Sequence, residues 1–255
     1  MNMKKYINNI EKILDKLSID WNRFDNKSVL ITGATGMVGR AVADMMYYGC
    51  NRFGKKVNIY ILTRSLKKAE ALFGDKIKNN VLKKESEEKN IVQIKFIQGD
   101  VCEKMDYPKI DFIVHAAGYG DPQAFSVMPV EVMKANLTGT ERMLELAKAN
   151  DARIIYISTG EVYGRFNADD GYSEENIGEL DFNMLRSCYP ESKRAAEVFC
   201  RSYSAEYGVD FTIARLCHTY GPTMTERDSR VLSYFIRLAA AGKDIIIKSA
   251  GLQKR

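Results

Sequence analysis

Three glycines spaced three residues apart follow a short apolar run near the start of the chain. The run occupies residues 28–32, and Gly33, Gly36 and Gly39 come directly after it. Glycines between a strand and a helix permit a tight turn and let backbone N–H groups at the helix N-terminus approach a pyrophosphate. A purely structural turn is the alternative, but this turn opens a series of alternating strand and helix patterns. We therefore predict a bound dinucleotide, NAD or NADP, held by Gly33, Thr35, Gly36, Met37, Val38 and Gly39.

The end of the second predicted strand bears on which dinucleotide binds. An acidic residue usually stands there and holds the ribose hydroxyls of NAD, whereas this chain has Arg64. Arg64 could contact the 2′-phosphate of NADP, or it could be a solvated loop arginine, so both cofactors stay open. After the third strand, Asp100 and Val101 could reach the adenine through a carboxylate and a backbone amide, although Asp100 could also simply end the strand.

A tyrosine and a lysine four residues apart, Tyr189 and Lys193, form a second candidate group. In a helix they share one face. A nearby ammonium and a positively charged cofactor ring would both favour the phenolate and lower the pKa of Tyr189 from about 10. Tyr189 could then act as the base for a hydroxyl that loses hydride. The pair could also be an ordinary helix surface, because the chain is rich in both residue types.

The elements that must position these groups alternate between β and α patterns. Strands are predicted at residues 28–32, 57–63, 91–98, 112–115, 153–158 and 211–216. Continuously apolar segments among them suit strands that are covered on both faces of a parallel sheet. We expect an α/β fold, a Rossmann-type doubly wound parallel sheet with helices on both faces. Ahead of it, Ile10, Ile13, Leu14 and Leu17 have helical spacing and predict an amphipathic helix at about residues 8–17.

Composition and charge exclude several classes of protein. The 255 residues are 45% hydrophobic and 28% charged, which is typical of a globular protein with one sizeable core. The formal charge of +5 is spread along the chain, and the lysine-rich residues 67–89 also contain glutamates, which predicts a solvated helical face and no nucleic-acid binding. The scattered cysteines predict neither disulfides nor a metal site. No apolar stretch approaches the ~20 residues of a membrane span, so no membrane contact and a cytoplasmic location are expected.

Six motifs occur in an order that resembles the extended short-chain dehydrogenase/reductase family. They are the glycine turn, His115-Ala116-Ala117, Asn136-Leu137-Thr138-Gly139-Thr140, Ser158-Thr159-Gly160-Glu161-Val162-Tyr163-Gly164, Tyr189 with Lys193, and Arg215 with Tyr220-Gly221-Pro222. The resemblance runs from about residue 27 to the last residue. Nucleotide-sugar epimerases, dehydratases and decarboxylases of the NAD-dependent epimerase/dehydratase type belong to this family, and the segments around Tyr189, Arg215 and Arg230 look most like its UDP-glucuronate decarboxylase branch.

The resemblance implies a transient oxidation at C4 of a nucleotide sugar and assigns a role in it to several residues. Tyr189 would deprotonate the sugar 4-hydroxyl while C4 passes a hydride to the nicotinamide, which leaves a 4-keto intermediate. Lys193 would bind the nicotinamide ribose and tune Tyr189. Thr159, with Ser158, would hydrogen-bond the same hydroxyl, although either could be a satisfied strand-end hydroxyl.

Other residues would support the cofactor side. Asn136 would support the helix and the proton path, and Ala116 and Ala117 would line the cofactor. His115 would shape the end of its strand and take no part in the chemistry. Relatives commonly dimerise through the helices that follow Asn136 and Tyr189, so a homodimer is expected.

The residues after Thr159 indicate the subclass. Dehydratases usually carry an Asp at the position of Gly160, where it serves as acid, and decarboxylases usually carry a Ser. Gly160 therefore disfavours dehydration, while Glu161 keeps a carboxylate that dehydratases and decarboxylases share, so a decarboxylase or an epimerase is expected. The resemblance implies a UDP-linked nucleotide-sugar substrate, which would meet Ser158, Thr159, His218, Arg230 and Arg255.

Two of these substrate residues carry alternatives. His218 stands where the branch usually has an asparagine, and it could instead be a loop histidine satisfied by backbone. Arg230 and Arg255 match positions that approach the diphosphate, which suits arginine, but each could be merely exposed. Family members usually continue well beyond the segment that ends this chain, so we expect an incomplete C-terminal substrate-binding part.

The expected organisation is an N-terminal helical extension at residues 1–25, a dinucleotide-binding domain at 26–215 that includes the Tyr189 helix, and the start of a substrate-binding region at 216–255. Two other functions stay open. The chain could be a non-catalytic dinucleotide-binding module, or an NADP-dependent carbonyl reductase, although the segments around Tyr220 and Arg230 disfavour the reductase.

Overall fold

The computed structural model describes residues 3–82, 91–165, 172–224, 228, 230–247 and 250 of the chain. In chain order the helices and strands are α1 (Met3–Leu14), β1 (Lys27–Thr32), α2 (Met37–Arg52), β2 (Val57–Thr63), α3 (Leu66–Leu82), β3 (Val92–Gln98), β4 (Phe112–His115), α4 (Pro122–Val127), α5 (Pro129–Asn150), β5 (Arg153–Thr159), α6 (Cys188–Tyr207), β6 (Phe211–Leu216) and α7 (Val231–Ala240). Short 3₁₀ turns lie at Trp21–Phe24, Gly160–Tyr163 and Leu185–Ser187. None of the helices within these ranges combines the length and the apolar character that crossing a bilayer requires.

The six strands form one parallel sheet in the order β3-β2-β1-β4-β5-β6. Each predicted strand is present with its ends within one residue of the prediction. The chain first builds outward from β1 to β3 and then returns to β4 on the other side of β1. Ligands of such sheets bind beyond the carboxyl ends of the strands where the order reverses, which here is the gap after Thr32 of β1 and His115 of β4.

Both faces of the sheet are covered by helices. On one face, side chains of β1 and β2 pack against α2 and α3, and this core contains Val29, Ile31, Ile59, Tyr47 and Phe73. On the other face, β1, β4 and β5 pack against α5 and α6, and this core contains Leu30, Ile113, Ile154, Met143 and Ala196. Because successive strand residues point to opposite faces, strands buried on both faces need the continuous apolar runs seen in the sequence. The predicted doubly wound α/β fold is confirmed.

The N-terminal helix is present, but its predicted ends and buried face were partly wrong. It begins earlier than expected, at Met3, and ends at Leu14. Tyr6, Ile10 and Leu14 form its buried face, while Ile13 and Leu17 are 47% and 43% exposed. Residues four apart lie above one another on a helix. Tyr6, Ile10 and Leu14 therefore share the buried face, whereas Ile13 and Leu17 lie on another face.

A buried charge network joins α1, α2 and α3. The hydroxyl of Tyr6 donates to Asp44 Oδ2 at 2.8 Å, and Lys76 Nζ lies 2.9 Å from Asp44 Oδ1. Lys76 also lies against the rings of Tyr47 and Phe73. The lysine-rich stretch was predicted to be a solvated face, and that prediction is wrong for Lys76, because its partner Asp44 is fully buried and holds the ammonium inside.

Candidate dinucleotide and catalytic site

The three glycines between β1 and α2 differ in what surrounds them. Gly33 has a φ of +67°, and a Cβ there would overlap the carbonyl of Ala116. A Cβ at Gly39 would lie 2.5 Å from Gly33 O. Gly36 has extended backbone, and a Cβ there would meet only Gly33 O at 3.2 Å. The folding of the chain itself therefore requires glycine at 33 and 39, whereas the glycine at 36 suits the close approach of a ligand.

Gly36 is the N-cap of α2, and Met37 and Val38 form its first turn. The first N–H groups of a helix have no partner within the helix, so they are available to an anion. The chain after β6 packs against this turn, because Thr223 Oγ1 donates to Met37 O at 2.9 Å. The start of α2 is thus bordered by the glycine turn on one side and by the C-terminal segment on the other.

A cleft of about 460 Å³ runs along the carboxyl edge of β1, β2 and β4. Predicted cofactor residues line it, namely Gly33, Thr35, Gly36, Arg64, Asp100, Val101, Ala116 and Ala117. Thr32, Lys68, Gly118 and Tyr119 line it as well. The fold therefore brings the segments after β1, β2, β3 and β4 together at one groove, where an elongated ligand would contact all of them.

Arg64 lies across the mouth of this cleft. Its Nη1 donates to the hydroxyl of Tyr119 at 3.0 Å and lies 3.6 Å from Asp100 Oδ2. The Asp100 carboxylate also accepts a hydrogen bond from the backbone N–H of Cys102 at 2.9 Å. The Arg64 side chain is 65% exposed, so it is solvated at its outer side and tied to the groove at its inner side. The choice between a phosphate contact and a solvated loop arginine stays a prediction.

His115 is fully buried behind the cleft. Thr140 Oγ1 donates to Asn136 O at 2.6 Å, so it accepts from His115 Nε2 at 3.2 Å, and His115 Nδ1 then accepts from Thr32 Oγ1 at 2.8 Å. Thr32 Oγ1 in turn accepts from the N–H of Ala117 at 3.0 Å. Burial lowers the pKa of His115 to about 3, so the ring is neutral. Its hydrogen bonds fix the loop that lines the cleft.

Tyr189 lies in the first turn of α6, where it contacts the ring of Phe125 and the hydroxyl of Thr159. Its ring stacks on Phe125 with centroids 4.4 Å apart, and its phenol forms a hydrogen bond with Thr159. Burial raises the pKa of Tyr189, and the hydrogen bond with Thr159 only partly opposes this. In the protein chain alone desolvation outweighs the favourable contacts, and the predicted lowering of this pKa by the cofactor ring together with the ammonium stays a prediction for the complex. Lys193 does not offset the desolvation, since its Nζ donates to Ile157 O at 2.8 Å.

Lys193 and Asn136 lie close to Gly118, one of the residues that line the cleft. Burial lowers the pKa of Lys193 to about 8, against the opposing effect of Glu197. Asn136 Nδ2 donates to Ser192 Oγ at 2.9 Å, which ties α5 to α6, while its Oδ1 is buried without a partner in the described part of the chain. A Cβ on Gly118, which lines the cleft, would lie 3.0 Å from Asn136 Oδ1 and 3.8 Å from Lys193 Nζ. Both polar groups therefore lie next to one wall of the cleft.

Ser158 and Thr159 end β5 on opposite faces of the strand. Thr159 bonds Tyr189, as described, whereas Ser158 Oγ donates to Glu197 Oε1 at 2.6 Å. Arg215 binds both oxygens of Glu197 as well, at 3.0 and 2.7 Å. The geometry places Thr159 where the sequence predicted it. It favours the structural alternative for Ser158, whose hydroxyl is satisfied inside the core.

Glu161 and Gly160 occupy settings that the sequence did not indicate. Both oxygens of Glu161 accept hydrogen bonds from Arg186 at 2.9 Å. A Cβ on Gly160 would overlap Cys217 Sγ. The thiol of Cys217 therefore fills the space that a side chain at position 160 would need, and the Glu161 carboxylate is already paired.

The predicted diphosphate and sugar contacts come from the segment after β6. Arg230 pairs with Asp228 through bonds of 2.9 and 2.5 Å, and its charge acts on Tyr189. It lies beside the start of α2, between the glycine turn and Tyr189. His218 is exposed and has a φ of +39°. Arg255 lies outside the described residues.

Residues of this site that the sequence prediction missed include Tyr119, Phe125, Arg186 and Cys217. Arg186 is three residues from Tyr189 and Tyr119 is four from His115, so nearness to a motif was an available signal. Cys217 likewise stands next to His218, whereas Phe125 reaches the site only through the packing of α4, and no motif marks it.

Comparison with known proteins points to one family. The model of the NAD dependent epimerase/dehydratase family matches residues 29–255. UDP-glucuronic acid decarboxylase 1 of Xenopus tropicalis is 34% identical over 231 residues, which are 91% of this chain and 50% of that protein. UDP-glucuronic acid decarboxylase 6 of Arabidopsis thaliana is 32% identical over 232 residues, 90% of this chain and 62% of that protein.

Solved structures with a similar fold include a nucleotide-sugar epimerase. The crystal structure of UDP-glucuronic acid 4-epimerase from Bacillus cereus, in complex with UDP-glucuronic acid and NAD, superposes with a TM-score of 0.65 at 21% identity. The match covers 89% of this chain and 67% of that one. At 21% identity, this match shows a shared fold and nothing more. The chain spans roughly half to three fifths of the length of the curated relatives named above.

Proposed function

Because the chain belongs to the NAD-dependent epimerase/dehydratase family, we propose that it modifies a nucleotide sugar by transient oxidation at C4 of the sugar. The observation that carries this proposal is the pairing of the Tyr189 phenol with the Thr159 hydroxyl beside a cleft that begins at the glycine turn. A base and a second hydroxyl at one point suit a substrate hydroxyl that is deprotonated while its carbon is oxidised.

The residues of the cleft fit a dinucleotide. Gly36 lets a pyrophosphate approach the start of α2, and the unpartnered Asn136 Oδ1 gives the inner end a polar acceptor. Bound there, the nicotinamide would supply the acceptor for the hydride that leaves C4. Lys193 would bind the ribose next to it, and Asp100 and Arg64 would meet the adenosine end. The family is NAD-dependent, so we propose NAD, and Arg64 is the residue through which NADP could also bind.

Within this mechanism each residue has a separate task. Thr159 holds the 4-hydroxyl by a hydrogen bond, and Tyr189 takes its proton. Arg230, between the glycine turn and Tyr189, binds the substrate diphosphate if its pair with Asp228 opens. Gly160 leaves no acid for a departing hydroxyl, so decarboxylation or epimerisation is proposed and dehydration is not.

The test is incubation of the purified chain with NAD or NADP and with UDP-glucuronate, UDP-glucose or UDP-N-acetylglucosamine. Transient reduced nicotinamide is followed by absorbance, and products by mass spectrometry and NMR. Loss of the carboxylate mass identifies a decarboxylase, while an isomer of unchanged mass identifies an epimerase. Tyr189→Phe is expected to lower turnover at least ~100-fold. Tyr203→Phe, which changes a partly buried tyrosine of the same helix whose hydroxyl donates to Glu145, should leave it unchanged.

A second candidate is a non-catalytic dinucleotide-binding module. It is favoured by the pairing of Arg230 with Asp228, which occupies the guanidinium that the enzyme proposal assigns to the substrate diphosphate. This candidate predicts a bound dinucleotide without turnover of any nucleotide sugar, and that result would refute the enzyme proposal.

We further propose a homodimer and a cytoplasmic site of action. Helices α5 and α6 leave large apolar side chains exposed, among them Val130, Met133, Val198 and Phe199, which supports an interface between two copies. Analytical ultracentrifugation of the chain, with Val198→Glu as the disrupting variant, tests the dimer.

A further inference from the structure

A closed ring of contacts surrounds the Tyr189 side chain. Phe125 stacks on Tyr189 at 4.4 Å with an angle of 14° between the rings, and the Arg186 guanidinium lies 5.7 Å from the centre of Phe125. Arg186 binds both oxygens of Glu161 at 2.9 Å. We call Phe125, Glu161 and Arg186 the Arg186 cluster.

Thr159 completes this circle of contacts, because it joins Glu161 to Tyr189. The backbone N–H of Glu161 donates to Thr159 Oγ1 at 3.2 Å, and the Thr159 hydroxyl is bonded to the phenol of Tyr189. A bidentate pair between guanidinium and carboxylate is geometrically strict. The Arg186–Glu161 pair therefore connects the residue that bonds the phenol with the ring on which the phenol stacks.

The charges around the phenol oppose one another. The charged side chains that face it are Glu161 from the turn after β5, Arg186 from the turn before α6, and Arg230, with its partner Asp228, from the segment before α7. Glu161 raises the pKa of Tyr189, whereas Arg230 and Arg186 lower it. Lys193, on α6 itself, donates to the Ile157 carbonyl. Without Arg186, Glu161 would lose its bonded partner, and Arg230 alone among these side chains would oppose its effect on the pKa of the phenol.

We propose that Arg186 is a positioning residue for Tyr189, which neutralises Glu161 beside the phenol and holds the aromatic ring through Phe125. Glu161, with both oxygens bonded to Arg186, belongs to the Arg186 cluster and does not transfer protons. This inference rests on the proposed function in one respect, that Tyr189 is the base.

The experiment measures the titration of Tyr189 directly. Protein labelled with ¹³C at the tyrosine Cζ is saturated with NAD, and Tyr189→Phe assigns the resonance. The pH midpoint of the Tyr189 titration is compared among the wild type, Arg186→Gln, Glu161→Gln and the double variant. Arg186→Gln should raise the midpoint by roughly half to one pH unit, Glu161→Gln should lower it by a similar amount, and the double variant should return close to the wild type. The half-exposed pair keeps the expected shifts small.

Two further variants separate charge from folding. Arg186→Lys keeps the positive charge and should restore most of the midpoint while losing the bidentate geometry. Arg153→Gln removes an exposed arginine that pairs with Asp210 at 3.0 Å at the far end of the sheet, and it should not move the midpoint. Melting temperatures show that each variant is folded.

An unchanged or lower titration midpoint of Tyr189 in Arg186→Gln overturns the proposal. A double variant whose midpoint is as far from the wild type as that of Arg186→Gln also overturns it. Loss of turnover in Glu161→Gln without a change of midpoint also overturns it, because Glu161 would then act on the substrate itself. The titration needs no turnover. A chain that turns over no nucleotide sugar but shows the expected midpoints refutes the proposed function and leaves the assignment of Arg186 standing.

Discussion

Replacing each glycine of the turn by alanine should separate folding from dinucleotide binding. At Gly33 the φ of +67° costs about 1–2 kcal/mol for an alanine, and overlap with the Ala116 carbonyl adds roughly 1–3 kcal/mol. At Gly39 a Cβ 2.5 Å from Gly33 O adds a similar overlap, which the ~1 kcal/mol gain in helix propensity partly offsets. At Gly36 the backbone is extended and the Cβ meets one atom at 3.2 Å, so the cost is about 0.5 kcal/mol.

These values convert into measurable differences. For a chain of this size, 1 kcal/mol changes the melting temperature by about 2–4 °C. Gly36→Ala should therefore melt within roughly 2 °C of the wild type, while Gly33→Ala should melt about 4–20 °C lower. Gly36→Ala should nevertheless weaken NAD binding at least about tenfold, or 1.4 kcal/mol, because the methyl group stands where the pyrophosphate approaches.

Differential scanning fluorimetry and isothermal titration calorimetry measure the two quantities. Gly74→Ala is the matched control, since a Cβ there meets nothing within 4 Å and lies in α3 away from the cleft. It should bind NAD normally and be slightly more stable. Normal NAD affinity in Gly36→Ala would refute the assignment of the turn to the pyrophosphate, and a large loss of stability in that variant would refute the structural distinction among the three glycines.

Three further predictions concern stability. Asp44→Asn should lower the free energy of unfolding by about 3–5 kcal/mol in urea, because Lys76 would keep a buried charge without its carboxylate, and a loss below about 1 kcal/mol would contradict a buried charge pair. The pKa of His115 is lowered to about 3, so the unfolded chain binds a proton near pH 6.5 that the folded chain refuses. Stability should fall from about pH 6.5 towards pH 3, with up to ~1.4 kcal/mol per pH unit from this residue, and His115→Gln should show a flatter profile over that range. Gly160→Ser should lower the melting temperature, since its Cβ overlaps Cys217 Sγ, and Cys217→Ala should recover that loss in the double variant, whereas additive effects would show that the two positions do not share space.

The architecture could be predicted from the sequence because it follows from short-range patterns. Apolar runs of four to seven residues, separated by helical segments, specify a parallel sheet covered on both faces. The N-terminal helix shows the limit of such patterns. Its existence was predictable from periodicity, but the choice between Tyr6 and Ile13 for the buried face depended on where α2 lies.

The candidate site was predictable where a motif lies within one element or one turn. The glycine turn and the Tyr189 helix are such cases: the turn lines the cleft, and Lys193 of the helix lies close to Gly118, which also lines it. Partners were not predictable where the contact joins distant segments. The sequence shows Ser158 next to Thr159, yet only the burial of Glu197 under β5 shows that the Ser158 hydroxyl is already used.

The sequence by itself thus determined the fold class, the strands and the cofactor turn, because these depend on residue type and spacing over a few positions. The tertiary structure decided which charged groups are already paired, since Lys76 with Asp44 and Arg186 with Glu161 meet only when separate elements pack. Burial and pairing set the pKa of a group, so the structure alone showed that the pKa of Tyr189 is raised in the protein chain.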